Sequence, residues 1–466
     1  MGERGETKTG GRAATTANID GDYALAVGTG SRVPPDGWQW HLLTSLARLE
    51  TGHTPSRKRP EYWDGDIPWI GIRDATGNHG RTIHDTEQHV TQAGIDNSSA
   101  RLLPQNTVCL SRTASVGYVV VMGRPMATSQ DFVNWVCDPA ALDYRFLKYV
   151  LLAEKRAYDR FSHGTTHQTI YFPEVKAFYI CVPDRDRQAD IADVLCSLDD
   201  KIELNRRMNR TLEAMAASIF KAWFVDFEPV RAKAAGAAAF PGMPQPVFDA
   251  LPATFTDSEL GPIPEGWEVG VLGDNCEINR HSVRKGEVEG EIEYIDIASV
   301  TVGQLDSVTR YDFADAPSRA RRRIRHGDTL WSCVRPNRCS YLFIHNPPRH
   351  RLASTGFAVL SPGRFGPAFL YNLVTRPEFV DYLVANADGS AYPAVRADHF
   401  AAAPVIVPDT AVVEAFDRAV MPLRDLIAAS DAQATTLAET RDTLLPKLLS
   451  GELSVYGRAD LVESYG

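Results

Sequence analysis

Ile191, Leu195, Leu198, Ile202, Asn205, Asn209, Leu212, Ala216, Ile219 and Trp223 follow one another in alternating steps of four and three. Phe416, Val420, Leu423, Ile427, Ser430, Ala434, Leu437, Arg441, Leu444 and Leu448 do the same, each 225 residues further on. That spacing keeps one stripe of a helix turned towards a partner helix, as in a coiled coil. Both stripes become polar or small at the same level, Asn205 and Asn209 against Ser430 and Ala434. A buried Asn costs stability but fixes register, so two long helices pairing antiparallel within one chain are expected. The alternative is that each helix packs on its own globular domain. Pro422 lies inside the second run, where a proline removes a backbone hydrogen bond and costs ~3 kcal/mol. The second helix is therefore expected to kink at Pro422 or to begin there.

The same offset runs through the rest of the chain. Gly164-Thr165-Thr166-His167 aligns with Gly389-Ser390-Ala391-Tyr392, and Val182-Pro183-Asp184 with Val407-Pro408-Asp409. Pro35-Asp36-Gly37-Trp38 returns as Pro264-Glu265-Gly266-Trp267, each followed by a strand-like run at residues 67–72 and 292–297. A period this long means duplicated domains and not a solenoid. The globular parts, residues 37–183 and 263–408, mix short β-like runs with one helix-like stretch each, at 144–161 and 367–385. That is an α+β signature. Residues 229–262 are rich in Ala, Pro and Gly and read as a linker. The Gly/Thr/Ala-rich residues 1–36 are expected to form a flexible tail, and residues 458–466 a second one.

With 466 residues and 44% apolar content, the chain can build real cores. No apolar stretch approaches the ~20 residues of a membrane span. Seven cysteines without a CxxC pair fit a reduced, cytoplasmic protein. The formal net charge of −10 argues against binding nucleic acid through bulk positive charge. Its distribution argues otherwise. Residues 37–183 carry a net +1, whereas helical segments 184–228 and 409–457 carry −3 and −4. Residues 317–351 hold nine arginines and one acid, Asp328, and residues 98–127 hold Arg101, Arg112 and Arg124 and no acid. An Arg-rich run is often only a solvated face, but its recurrence in both repeats favours phosphate neutralisation.

Leu198-Asp199-Asp200-Lys201-Ile202-Glu203-Leu204-Asn205 and Ile219-Phe220-Lys221-Ala222-Trp223-Phe224-Val225-Asp226-Phe227 resemble the central conserved region of type I restriction–modification specificity subunits. Arg441-Asp442-Thr443-Leu444-Leu445-Pro446-Lys447-Leu448-Leu449-Ser450-Gly451-Glu452 resembles the region that closes them. Ser111-Arg112-Thr113-Ala114-Ser115-Val116-Gly117 and Gly164-Thr165-Thr166-His167-Gln168 are similar to loops of their target recognition domains. Ser332-Cys333-Val334-Arg335-Pro336-Asn337 departs from the first loop's pattern. The resemblance covers about residues 37–455. It implies two similar α+β target recognition domains separated by two long antiparallel coiled-coil helices, residues 184–228 and 409–457. Each domain would read half of a bipartite site in double-stranded DNA. The helices would dock two methyltransferase subunits, and motor-endonuclease subunits would join them. The assembled complex would be an adenine-N6 methyltransferase and ATP-dependent endonuclease, with this chain non-catalytic and without a cofactor. Helical residues 190–224 would span on the order of 50 Å.

On that reading, DNA would be contacted by Arg112, Ser115, Thr165, Thr166, His167 and Gln168 in the first domain. Arg321, Arg322, Arg323, Arg335, Asn337, Arg338 and Ser390 would do so in the second. Arginine suits phosphates and guanine edges, Asn and Gln suit adenine. The residues assigned to the partner-binding helices are Ile202, Asn205, Leu212, Trp223, Phe224, Ile427, Leu437, Leu444 and Leu448.

Catalytic motifs fail on inspection. Asn346-Pro347-Pro348 is followed by Arg349, so the aromatic that would stack on a flipped base is missing. Pro183-Asp184 with Asp199 and Lys201 hints at a metal nuclease, yet Asp199 and Lys201 flank a coiled-coil stripe where charges are ordinary. No phosphate-cradling GxxxxGK[ST] occurs. His163 and His167 lack an evident third ligand, so no metal is expected. The competing readings are a stand-alone DNA-binding regulator or scaffold, and an enzyme fused to its own specificity module. Acidic helices argue against the former, and the lack of a catalytic motif against the latter.

Overall fold

The structure, a computed structural model, describes residues 18–163, 168–284, 286–389 and 392–455. The chain divides into two compact units, residues 1–203 with 435–466, and residues 204–434. Both are α+β. Each joins one globular repeat to one half of each long helix.

The duplication is visible strand by strand. In the first unit, Gln39–Leu42 pairs antiparallel with Phe178–Val182; in the second, Glu268–Val271 pairs with Pro404–Val407. Ala47–Thr51, Phe132–Cys137, Val108–Ser111 and Val119–Met122 lie side by side in the first unit. Cys276–Ile278, Phe357–Pro362, Thr329–Ser332 and Tyr341–Phe343 repeat that order in the second. A third sheet in each unit mixes directions. Trp63–Ile70 runs antiparallel to Gln88–Val90 and parallel to Ala127–Thr128. Glu291–Ile295 runs antiparallel to Thr309–Asp312 and parallel to Arg351–Ser354, whose other neighbour is Ala320–Arg323.

The long helices run over Arg185–Phe224 and Thr410–Leu449. Asp184 starts the first by accepting the amide of Arg187 at 2.9 Å, which satisfies one unpaired N–H of the opening turn. The first unit's core gathers Trp135, Phe146, Tyr149 and Phe178 with Ile191 and Leu195 of the first helix and Leu448 and Leu449 of the second. In the second unit Phe220, Trp223 and Phe224 meet Phe369 and Phe416, with ring centroids 4.8 to 6.3 Å apart. Early positions of one helix thus meet late positions of the other in each unit, which is antiparallel pairing. At the polar level of the stripe the two asparagines bond across the pair through their Nδ2 atoms, while Asn209 Oδ1 is buried without a partner among the described residues. Asn205 Nδ2 donates to Gln433 Oε1 at 2.9 Å and Asn209 Nδ2 to Asp431 Oδ1 at 2.6 Å.

Several expectations need correction. Residues 18–36 are no flexible tail, and residues 1–17 lie outside the described part. Ile19–Asp20 and Leu25–Val27 form a hairpin that extends the sheet beyond Phe178–Val182. Ala24, Leu25, Ala26 and Val27 are buried. The carboxylate of Glu154 accepts the amides of Asp22, Tyr23 (2.7 Å), Ala24 (2.8 Å) and Leu25 (3.2 Å). Nor is 229–262 a loose linker. Short helices form at Glu228–Ala234 and Gln245–Ala250, and Val230, Met243, Phe248 and Leu251 join the core of the second unit. The two helix-like stretches are each broken, into Tyr144–Ala153 and Ala157–Phe161, and into Pro367–Val374 and Pro377–Ala385. The second long helix begins twelve residues before Pro422 and continues through it. Pro422 is exposed, so the carbonyl it leaves unbonded can turn to water. Residues 458–466 lie outside the described part. All seven cysteines are unpaired. No described helix is long and apolar enough to cross a membrane.

Candidate nucleic-acid interface

The turn after strand Val108–Ser111 carries Arg112 and Ser115. It is strained where the chain reverses: Ala114 has φ +64° and Gly117 φ +89°. A Cβ on Gly117 would lie 2.7 Å from the ring of Tyr158, so glycine serves both the turn and the close packing. The turn docks on Thr169 and Ile170, which with His163 flank Gly164 to Gln168 in the sequence. Thr113 and His163 both bridge to Thr169, the hydroxyls of Thr113 and Thr169 are 3.1 Å apart, and Ile170 N donates to Arg112 O at 2.9 Å. The turn thus joins a ladder formed by the residues on both sides of the second sequence segment.

Arg112 is held there in a defined pose. Its guanidinium lies 4.7 Å from the ring centroid of Phe172, and Nη2 donates to Gln130 O at 3.2 Å. Its Nε is buried with no partner among the described residues. Burial lowers its pKa from the usual arginine value, with Asp131 pulling the other way; an approaching anion would be a favourable counter-charge. Ser115 is half-buried and Gln168 exposed, whereas Thr165, Thr166 and His167 lie outside the described residues.

The second unit repeats this joint. Val334 and Asp388 both bridge to Ala394, the position 225 beyond Thr169. Arg335 N donates to Pro393 O at 2.7 Å, and its guanidinium lies 4.9 Å from the ring of Tyr392. Each unit thus stacks one arginine of its hairpin turn on a nearby ring, Phe172 at the start of the short helix Phe172–Lys176 and Tyr392 two residues before Ala394, although Arg335 stands at the turn position of Ala114 and not of Arg112. Arg335 and Cys339 both adopt left-handed backbone, at φ +52° and +53°, around the turn Pro336–Arg338. Asn337 and Arg338 are exposed on it, and Ser390 lies outside the described residues.

Arg321, Arg322 and Arg323 do not sit on that turn. They belong to strand Ala320–Arg323, on a different sheet. Arg321 stacks at 4.9 Å on Phe313 and Arg322 Nη1 donates to Ser282 Oγ at 3.0 Å. Burial lowers the pKa of Arg322, opposed by Cys333. Asp328, the lone acid of the Arg-rich run, is buried and accepts the amide of Arg325 at 2.7 Å. The aromatic shelves Phe172 and Tyr392 were missed in the sequence. Only the proximity of each to the loop motif could have flagged them.

The residues assigned to partner docking require correction. Ile202, Asn205, Leu212, Trp223, Phe224, Ile427 and Leu448 are buried within the chain, and Leu437 and Leu444 are partly so. A stripe that seals a helix pair cannot also meet another subunit. The outward face differs: Leu204, Met208 and Met215 of the first helix are exposed by 55%, 42% and 49%. Spacings of four and seven place these three on one side of a helix. Asp199, weighed above as a nuclease residue, is an ion-pair hub. It accepts from Tyr149 Oη at 2.6 Å, Lys148 Nζ at 3.1 Å and Arg441 Nη1 at 2.7 Å. Burial pushes its pKa up, but Lys148, Tyr149 and Arg441 outweigh that and hold it below the usual value. Among the described residues no three His, Cys, Asp or Glu side chains gather as a metal site would need.

Two α+β repeats, each with an arginine-bearing joint, define a protein with a duplicated α+β domain. Residues 35–214 match the model of the type I restriction modification DNA specificity domain. The type I restriction enzyme MjaIX specificity subunit of Methanocaldococcus jannaschii is 26% identical over 438 residues, covering 91% of this chain and 95% of that protein. The HindI specificity subunit of Haemophilus influenzae is 26% identical over 336 residues, 63% of this chain and 72% of its own. In fold, the chain is similar to the crystal structure of a type I restriction–modification S subunit from M. genitalium. The TM-score is 0.51 at 16% identity, over 90% of this chain and 98% of that one. Residues 35–214 thus resemble a type I DNA specificity domain, and the chain as a whole is similar to type I restriction enzyme specificity subunits over most of its length.

Proposed function

We propose that this protein is the DNA-reading subunit of a type I restriction–modification complex, in which each unit reads one half of a bipartite duplex target. The observation that carries the reading is the repeated joint, Thr113 on Thr169 and Val334 on Ala394, which in each unit carries a stacked arginine, Arg112 on Phe172 and Arg335 on Tyr392. A stacked guanidinium keeps its N–H edges directed for bidentate contact with phosphate or guanine. Arg112, Ser115 and Gln168 would meet one half-site, and Arg335, Asn337 and Arg338 the other. Arg321, Arg322 and Arg323 would hold flanking phosphates, and Thr165, Thr166, His167 and Ser390 would add polar contacts to DNA. The chain performs no catalysis itself; two methyltransferase subunits would supply it. They would dock on the exposed apolar side of the first helix, at Leu204, Met208 and Met215. Motor-endonuclease subunits would join this core in the cytoplasm. A stand-alone regulator is not favoured, since the relatives are specificity subunits.

The test is co-expression with the cognate methyltransferase subunit, followed by methylation mapping on genomic DNA. The expected result is methylation at one bipartite, adenine-containing site, one half of which changes when residues 37–183 are exchanged for those of a relative. Methylation without sequence preference, or a site unchanged by the exchange, would refute the reading.

A further inference from the structure

We propose that the loop at residues 52–62 of the first unit is a second DNA contact, a phosphate clamp built on Arg57 and Lys58 and continuous with the Arg112 surface. It rests on the reading of this chain as a DNA-specificity subunit. The loop joins strands Ala47–Thr51 and Trp63–Ile70 and carries three successive exposed cations, Arg57, Lys58 and Arg59. Arg57 is fixed in place. Its guanidinium lies 4.3 Å from the ring centroid of Trp63 and 5.5 Å from that of Trp69, and the two indoles pack edge to face at 5.2 Å. Each indole is tied back to the loop, Trp69 Nε1 donating to His53 O at 3.0 Å and Trp63 Nε1 to Ser56 O at 3.4 Å. Arg57 Nη2 donates to Gln88 Oε1 at 2.9 Å, which leaves the remaining N–H groups open.

Lys58 is exposed and has no partner among the described residues. Packing gives no account of it. Arg59 is engaged with Glu61 at 3.4 Å, and Asp64 and Asp66 are exposed on the next strand. The charge open to a phosphate is therefore that of Arg57 and Lys58, two contacts and no more.

Gln130 links this loop to the interface already described. Its side chain is hydrogen-bonded by the hydroxyl of Thr54, and its carbonyl accepts from Arg112. His53 N donates to Thr128 O at 2.9 Å. A Cβ on Gly52 would lie 1.9 Å from Ser129 O, so the base of the loop is seated on this same segment. The second unit has an Arg-Lys pair in the equivalent loop, between Cys276–Ile278 and Glu291–Ile295. There Arg284 is exposed, Lys285 lies outside the described residues, and Val283 N donates to Arg321 O at 2.8 Å. In both units the loop adjoins the arginines of the candidate interface.

The test uses the full chain in complex with its methyltransferase subunits. Binding is measured to a duplex carrying the mapped target and to a scrambled duplex, between about 50 and 250 mM salt. Losing one phosphate contact should lower the slope of log K against log salt by about 0.9. Lys58→Ala should do this on both duplexes and weaken each about five- to tenfold near 0.1 M salt, with an unchanged melting temperature. Arg57→Ala with Lys58→Ala should lower the slope by about twice as much. Wild-type slopes in both variants would overturn the clamp, and so would a loss confined to the target duplex, because the loop would then read bases. If the wild-type complex itself showed no preference for the target, the functional reading would fall instead.

Discussion

Asp417 shows how closely single residues are fitted. Its Oδ1 accepts the amide of Phe369 at 2.9 Å, and a Cβ on Gly366 would lie 1.3 Å from its Oδ2, so any side chain at Gly366 would expel the carboxylate. Burial raises the pKa of Asp417 to about 6, opposed by the amides of Phe369 and Ala368 and aided by Glu414. The folded value lies above the unfolded one, so between about pH 4 and 6 the fold binds more protons, and stability falls as pH rises through that window. An Asp417→Asn variant lacks this term. Whatever its offset at pH 4, its stability relative to the parent should improve by about 2–3 kcal/mol by pH 7.5, measured by urea unfolding at the two values. A constant difference would mean the carboxylate does not titrate in that window. Arg112 illustrates what was legible at this scale. Its place in Ser111-Arg112-Thr113-Ala114-Ser115-Val116-Gly117 marked it, but its shelf Phe172 opens a helix and its acceptor Gln130 lies in the turn before Phe132–Cys137, partners that no local spacing encodes.

At the scale of elements, the helix pair was the most legible feature, because a 4-3 stripe has few solutions. The ionic contacts across it were not, since they depend on which residues face each other after pairing. Arg424 is 2% exposed, pairs with Glu213, and lies 4.1 Å from the ring of Tyr371. Its Nε and Nη2 find no partner among the described residues. Removing only the carboxylate strands a buried cation, so Glu213→Leu should cost about 3 kcal/mol or more. Arg424→Met together with Glu213→Leu should cost less than Glu213→Leu alone. The comparison is made by denaturant unfolding, and a double variant no more stable than the single one would show that the pair is not an isolated charge in the core. In the first unit the counterpart is Asp199 with Arg441. The first helix gives the acid and the second the base in both places, a complementarity that suits these two helices to each other better than to copies of themselves.

For the whole molecule, the average charge conceals a division of surfaces, with −7 of the net −10 on segments 184–228 and 409–457. The exposed Leu204, Met208 and Met215 sharpen where a protein partner would sit. Met208→Glu with Met215→Glu should abolish co-purification of the methyltransferase subunit while the chain's own melting temperature stays within a degree or two. Retained co-purification would place the partner elsewhere. The hairpin of residues 19–27 escaped the sequence reading for a reason of the same scale. Its anchor, Glu154, lies about 130 residues away, and four apolar residues amid Gly and Thr do not announce a strand.

The composition of the first unit also governs how the chain emerges during synthesis. Ile191 and Leu195 leave the ribosome long before Leu448 and Leu449, which close the same core. About 250 residues separate them, and at ~5–20 residues per second the wait is on the order of ten to fifty seconds. For that time an apolar groove on the first helix stays open in the nascent chain. A ribosome stalled between residues 204 and 435 would release a product whose first repeat is complete in sequence yet lacks the helical segment that finishes its fold.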